Sequence, residues 1–345
     1  QERMRPQVAR AQTMAIVSAL LGVGAVAAGG AAPSREQAQA GAGLAAGGGE
    51  FARRGLLGYQ RSEEITADRS AVGYLDATGQ SAKGMLTTFQ RFQSALSLSG
   101  TRVDPYQVSH PVPRDRIASL QSVAEKSPYF DAKDSPTLQQ RHDLARAKIA
   151  VFTQGQGTSA RLFRGKDPLA SAYGDAITAY LYGNPRAAAA KAEALVKQQP
   201  KNPYFQELRG DALMKANRPA EAADAYAKAM RLDPVKSGIL QVAYGQALLA
   251  TGKPENVKKS VEALQKGIDR DRENTIGYQY LAQAYGQLGA VPEAELALAE
   301  GHFYSGNYND ARIFAARAQM KLKRGSPAWV RAQDIINTRT PKKKN

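Results

Sequence analysis

One periodicity constrains this chain more than any other feature of its sequence. The segment NPYFQELRGDALMKANRPAEAADAYAKAMRLDP runs from Asn202 to Pro234, and Pro200 and Pro234 stand 34 residues apart. Gly210 and Leu213 fall on a first helix, and Ala222, Tyr226 and Ala229 on a second. Small residues are needed where two helices cross closely, and large ones fill the space between them. A pair of this size cannot bury its apolar face alone, so neighbouring pairs must stack on it. The preceding unit, Leu169 to Pro200, is a degenerate copy with Ala188 and Ala192 in its second helix. The pattern continues through Gly245 and Leu248 with Leu264, then Leu281, Ala282 and Tyr285 with Ala294, then Gly306-Asn307-Tyr308 leading to Ala311. The expectation is an all-α chain with about four to five helical hairpins between residues 169 and 337.

Spacing and residue type together resemble the tetratricopeptide repeat, which predicts an α-solenoid over 167–337. The 345-residue length suits two domains or one domain plus an array. No cysteine is present, which excludes disulfides, thiolate zinc sites and cysteine nucleophiles. The histidines are His110, His142 and His302 alone, so histidine chemistry is sparse. Lys and Arg number 47 against 31 Asp and Glu, a net charge of +16. Much of the excess sits after residue 310, where ten basic residues, ending in Lys342-Lys343-Lys344, face only Asp334. A solvated helix face and a basic tail over 338–345 account for it. No nucleic-acid motif with interleaved aromatics accompanies the charge, and no nucleic-acid partner is expected.

Toward the N-terminus, no charged residue occurs from Ala11 to Ser34, and Met14 to Ala32 is apolar but rich in Ala and Gly. Three readings are open. With Arg3, Arg5 and Arg10 before it and Ala25-Val26-Ala27 inside it, the run fits a secretory signal. It also fits a hydrophobic hairpin at a membrane, or a Gly/Ala-rich loop continuing to Glu50. Residues 51–100 predict two helices. Ser62 is placed as the cap of the first, with Ile65, Val72 and Leu75 on its apolar face and Gly79 as its stop. Met85, Phe89, Phe92 and Leu96 share one face of the second. Pro105, Pro111 and Pro113 then exclude a continuous helix. Residues 116–163 return to helical spacing, with breaks at Ser127-Pro128, Ser135-Pro136 and Lys166-Asp167-Pro168.

The candidate chemistry lies in Glu64-Ile65-Thr66-Ala67-Asp68, where two carboxylates four residues apart share a helix face. Such pairs are commonly solvated, but the surroundings add to this one. Residues 59–68, YQRSEEITAD, resemble the SRxxExxAD segment of the HtpX and CAAX-prenyl-protease type of zinc metalloproteases, with Gln60 where that pattern has serine. Residues 108–117, VSHPVPRDRI, resemble the SHPxxxxRI segment of the periplasmic, BepA-like branch, which also ends in tetratricopeptide repeats. The resemblance implies zinc as cofactor of the intact protein, with Glu64 as a metal ligand and Asp68 as the group supporting it. His110 and Arg116 would belong to a regulatory loop near the metal. The family's HExxH, which supplies two histidine ligands and a general base, is absent from these residues, so no catalytic residue is assigned.

Residues 1–13 resemble the helix that follows HExxH, so the chain is expected to begin just after its own catalytic helix and to be inactive alone. The expected organisation is the C-terminal part of a helical zincin-type metalloprotease domain over 1–118, with a Gly/Ala-rich membrane-proximal flap at 11–50. A helical linker over 119–166, the repeats over 167–337 and a basic tail over 338–345 follow. The implied function is a zinc endopeptidase of the periplasm, with association to the membrane surface as an option. Its repeats would bind envelope protein substrates or outer-membrane assembly proteins. The alternative is a noncatalytic secreted repeat scaffold whose first thirty-odd residues are a signal peptide.

Overall fold

A computed structural model describes residues 57–98 and 113–338. The 11–50 segment, His110 and the tail beyond Thr338 lie outside the described residues. Every regular element among the described residues is a helix, so the all-α expectation holds. No helix among them is long and apolar enough to cross a membrane, and Met14 to Ala32 lies outside that set. The chain divides into two units between Ser135 and Pro136. Residues 119–166 therefore contribute to both.

The first unit holds three described helices: α1 (57–77), α2 (Lys83–Leu98) and α3 (Pro113–Ala124). Gly79, at φ +69°, ends α1 as expected. Gln80 N–H reaches back to the Leu75 carbonyl (2.8 Å) and Gly79 N–H to that of Asp76 (3.0 Å), a Schellman closure that needs a left-handed residue at this point. Ser62 does not cap α1. It lies within the helix, and its carbonyl accepts the Thr66 hydroxyl (2.9 Å). A serine before an apolar run signals a start only when the preceding residues are not themselves helical, and residues 57–61 are.

Val72, Ala82, Leu86, Phe89, Leu120 and Ala124 form the core of this unit, with Leu75, Met85, Ile117 and Phe130 against it. The stripe predicted on α2 is therefore buried only in part. Met85 and Phe89 pack inward, Leu86 joins them, and Phe92 and Leu96 are exposed. Helical spacing shows which residues share a face, but the length of the covering helix decides how much of that face is buried. Beyond α3, the Ser127 hydroxyl donates to the Asp76 carboxylate and the Ser81 hydroxyl to the Phe130 carbonyl, pinning the turn at 127–130 to α1 and to the connection between α1 and α2.

The second unit opens with α4 (Pro136–Gln154) and the short α5 (Thr158–Phe163). Five helix pairs follow: α6 (Pro168–Tyr182) with α7 (Pro185–Gln198), α8 (Pro203–Lys215) with α9 (Pro219–Leu232), and α10 (Gly238–Ala250) with α11 (Pro254–Arg270). The last two are α12 (Thr275–Gln287) with α13 (Val291–Tyr304) and α14 (Tyr308–Gln319) with α15 (Pro327–Asn337). Proline does not merely interrupt this array; it starts helices, because a first-turn residue has no intrahelical use for its N–H. Pro168, Pro185, Pro203 and Pro327 each follow a residue whose side chain caps the helix. Asp167, for instance, accepts from the backbone of Leu169 (2.9 Å) and Ala170 (3.0 Å).

The crossings confirm the small-residue argument. A methyl group built on Gly210 would stand 2.6 Å from the Tyr226 ring, and one on Gly245 the same distance from Leu264. Ala188, Ala212, Ala222 and Tyr226 form one buried cluster and Val242, Leu264, Tyr278 and Leu281 the next, so the core runs from pair to pair rather than around one centre.

Candidate functional site

Within the first unit, α1 presents Glu64 and Asp68 one turn apart, and the opening turn of α3 brings Arg116 onto both. Arg116 Nε donates to Asp68 Oδ2 (2.7 Å) and Nη2 to Oδ1 (2.6 Å), a two-pronged pair. The same Nη2 stands 3.5 Å from Glu64 Oε2. Behind the guanidinium lies Phe89 of α2, its ring centroid 4.2 Å from Arg116 Cζ. One side chain thus touches all three helices.

Burial differs along this chain of charges. The Asp68 side chain is 8% exposed, Arg116 19% and Glu64 32%. The hydrogen bonds to Asp68 hold the Arg116 guanidinium above its ordinary pKa, against the opposing effect of burial, with the Asp68 and Glu64 charges adding to it. Breaking such a pair from one side strands a buried charge, at a cost of about 3–5 kcal/mol.

The structure therefore brings together Glu64, Asp68 and Arg116, while His110 lies outside the described residues. Arg116, expected in a loop, lies on α3. Both oxygens of Asp68 are engaged by Arg116, so Asp68 reaches Glu64 through the guanidinium rather than directly. As a metal site the donor set is incomplete: no group of three or more potential ligands occurs among the described residues. Of the two carboxylates in this cluster, Glu64 is the more exposed.

A second feature was not anticipated. A groove of about 190 Å³ opens in the second unit between α4, α6 and α8, with Phe152 and Tyr204 exposed on its rim and Tyr173, Ile177 and Asp211 inside. Tyr226 of α9 donates to Asp211 Oδ1 (2.6 Å). Burial nevertheless pushes the Asp211 carboxyl up to about 6, the tyrosine bond only partly offsetting it. Burial also raises the Tyr173 and Tyr226 hydroxyls. A signal was present in the sequence, since Tyr204, Glu207 and Asp211 recur at helical spacing on one face of the clearest repeat.

Residues 4–124 match the profile of peptidase family M48, a span that includes the whole Glu64–Asp68–Arg116 cluster. Residues 173–236 match a tetratricopeptide-repeat profile. Over 297 residues the chain is 25% identical to the beta-barrel assembly-enhancing protease of Escherichia coli (strain K12), covering 83% of this chain and 58% of that protein. It is 27% identical over 287 residues to the putative beta-barrel assembly-enhancing protease of Vibrio cholerae serotype O1, covering 81% and 57%. To the beta-barrel assembly-enhancing protease of Yersinia pestis it is 24% identical over 284 residues, covering 80% and 56%. The chain thus spans little more than half the length of these relatives.

Proposed function

We propose, for a chain that carries a peptidase family M48 segment followed by tetratricopeptide repeats and is homologous to beta-barrel assembly-enhancing proteases, that it is the substrate-holding and third-ligand part of a zinc endopeptidase of the bacterial periplasm. The observation that carries this reading is the Arg116 clamp on Asp68 and Glu64, lying inside the segment matched to the peptidase family.

In this reading Glu64 is the zinc ligand, Arg116 sets the direction of its carboxylate, and Asp68 holds Arg116. His110 belongs to the segment that approaches the metal. A bound zinc ion supplies a Lewis acid and an activated water. The 345 residues contain no HExxH, and no group of three or more potential ligands occurs among the described residues, so by themselves they are expected to hold zinc weakly and not to hydrolyse peptide bonds. Their own contribution is the repeat array, which holds envelope polypeptides or outer-membrane assembly partners. The domain limits that fit this reading are 1–118 for the peptidase part, 119–166 for the linker and 167–337 for the array.

Metal analysis of the purified chain tests it. The expected zinc content is far below one equivalent, and a stoichiometric content would overturn the assignment. Joined to an HExxH helix, the chain is expected to retain zinc and cleave casein. Glu64→Ala should abolish both, whereas Arg116→Lys should lower zinc retention while leaving some activity. Full zinc retention in Glu64→Ala would remove Glu64 as the ligand.

A further inference from the structure

The groove between α4, α6 and α8 contains a charge that no cation of the described residues pairs. Lys148 Nζ lies 3.4 Å from Glu207 Oε1, so those two groups offset each other. Asp211 stands one turn beyond Glu207 on α8, and its Oδ1 takes the Tyr226 hydroxyl. No ion pair to Asp211 is formed, and Lys148 acts on it only at a distance. The walls around this carboxylate are aromatic: Tyr173 and Tyr180 from α6, and Tyr204 and Phe152 at the rim. The volume, about 190 Å³, is modest. A cavity of roughly 150 Å³ admits a benzene molecule, so a space of this size takes one long side chain and not a folded element.

Three requirements then fall on any occupant. It must be long and slender, it must present flat or apolar surface to tyrosine rings, and it must end in a cation with hydrogen-bond donors. Arginine meets all three, since its guanidinium stacks on aromatic faces while donating along its edge. The protein shows related chemistry at the groove margin, where Lys215 Nζ lies 5.1 Å from the Tyr180 ring centroid and donates to the Tyr180 carbonyl (2.6 Å).

We propose that this groove is an arginine-selective subsite: one Arg side chain of an extended polypeptide enters between the tyrosine rings and pairs with Asp211. The inference rests on reading the array as the surface that holds polypeptide, and it adds which side chain is read there. An aromatic side chain is the competing occupant; it would cover the Asp211 carboxylate without pairing it, a desolvation cost that a guanidinium offsets.

The test uses the full 345-residue chain and fluorescein-labelled peptides Gly-Ser-Val-Xaa-Val-Ser-Gly with Xaa arginine, norleucine, phenylalanine or glutamate, read by anisotropy at low salt. The arginine peptide is expected to bind about tenfold more tightly than the norleucine peptide, the scale of a partly desolvated cation–π contact joined to an ion pair. Asp211→Asn keeps an acceptor for Tyr226 and should abolish that preference without weakening the norleucine peptide. Tyr204→Ala, a change at an exposed rim position, should reduce arginine binding several-fold with the melting temperature unchanged. Equal or tighter binding of the phenylalanine peptide, a preference that survives Asp211→Asn, or no binding by any peptide overturns the subsite. A chain that still captures an unfolded outer-membrane polypeptide but shows no arginine preference refutes this subsite while leaving the holding role intact. Loss of capture with the preference retained refutes the holding role and supports the subsite.

Discussion

Both units have apolar cores and interhelical ion pairs, but the closest joint in each is made differently. In the three-helix unit the joint is an added charge: Arg116 reaches Asp68, 48 residues away, and rests on Phe89. In the array the joint is an omitted side chain: Gly210 lets Tyr226 approach, and Gly245 lets Leu264 do so. Loss of one partner from a buried salt bridge strands the other's charge, whereas a glycine contact depends on shape and is repeated from pair to pair. The first design concentrates its risk in one residue. The second spreads it.

The largest effect is expected at Arg116. Arg116→Ala should leave Asp68 buried and unpaired and destabilise the first unit by about 3–5 kcal/mol. Hydrogen exchange should show α1–α3 opening while α8–α13 keep their protection. Equal loss of protection in both units would show that they do not open independently.

Glycine substitutions act at a smaller scale. Gly210→Ala should cost about 1–3 kcal/mol in urea unfolding of the array, because the new methyl meets the Tyr226 ring at 2.6 Å. Gly73→Ala, on the exposed side of α1 with nothing within 4 Å of the new group, should instead stabilise by about 0.5–1 kcal/mol. The same substitution thus reverses sign between the units.

The last effect concerns pH and is read as a difference between parent and variant. Asp211 is an acid whose folded pKa is raised to about 6, so its contribution to stability is full below the unfolded carboxylate value of 3.8 and is lost as pH rises through 6. Asp211→Asn removes that loss. Relative to the parent, its melting temperature should therefore climb between pH 4 and pH 7 and level off above, and a constant difference across that range would disprove the assignment.

Much of the array was legible in the sequence because its interactions are local. Gly210 and Tyr226 lie on adjacent helices of one repeat, and residue size at each position states what the crossing requires. The candidate site was legible by halves. Helical spacing placed Glu64 and Asp68 on one face and resumed at residue 116, against the loop that the resemblance implied for Arg116, but nothing in the spacing showed that Arg116 would occupy both oxygens of Asp68. The start of α1 and the buried extent of the stripe on α2 differ from the sequence expectation for a related reason, since the reach of a neighbouring segment decides whether Ser62 is a cap or Phe92 is covered.

By itself, then, the sequence determined the helical class, the stacking period of the second half and the pairing of two carboxylates, because each follows from residues within a few turns of one another. Only the tertiary structure decided that Arg116 clamps those carboxylates and that α4, α6 and α8 enclose Asp211 among tyrosines. Both depend on segments brought together over dozens of residues, where burial, rather than any local pattern, determines which charge stays paired and which is left facing a groove.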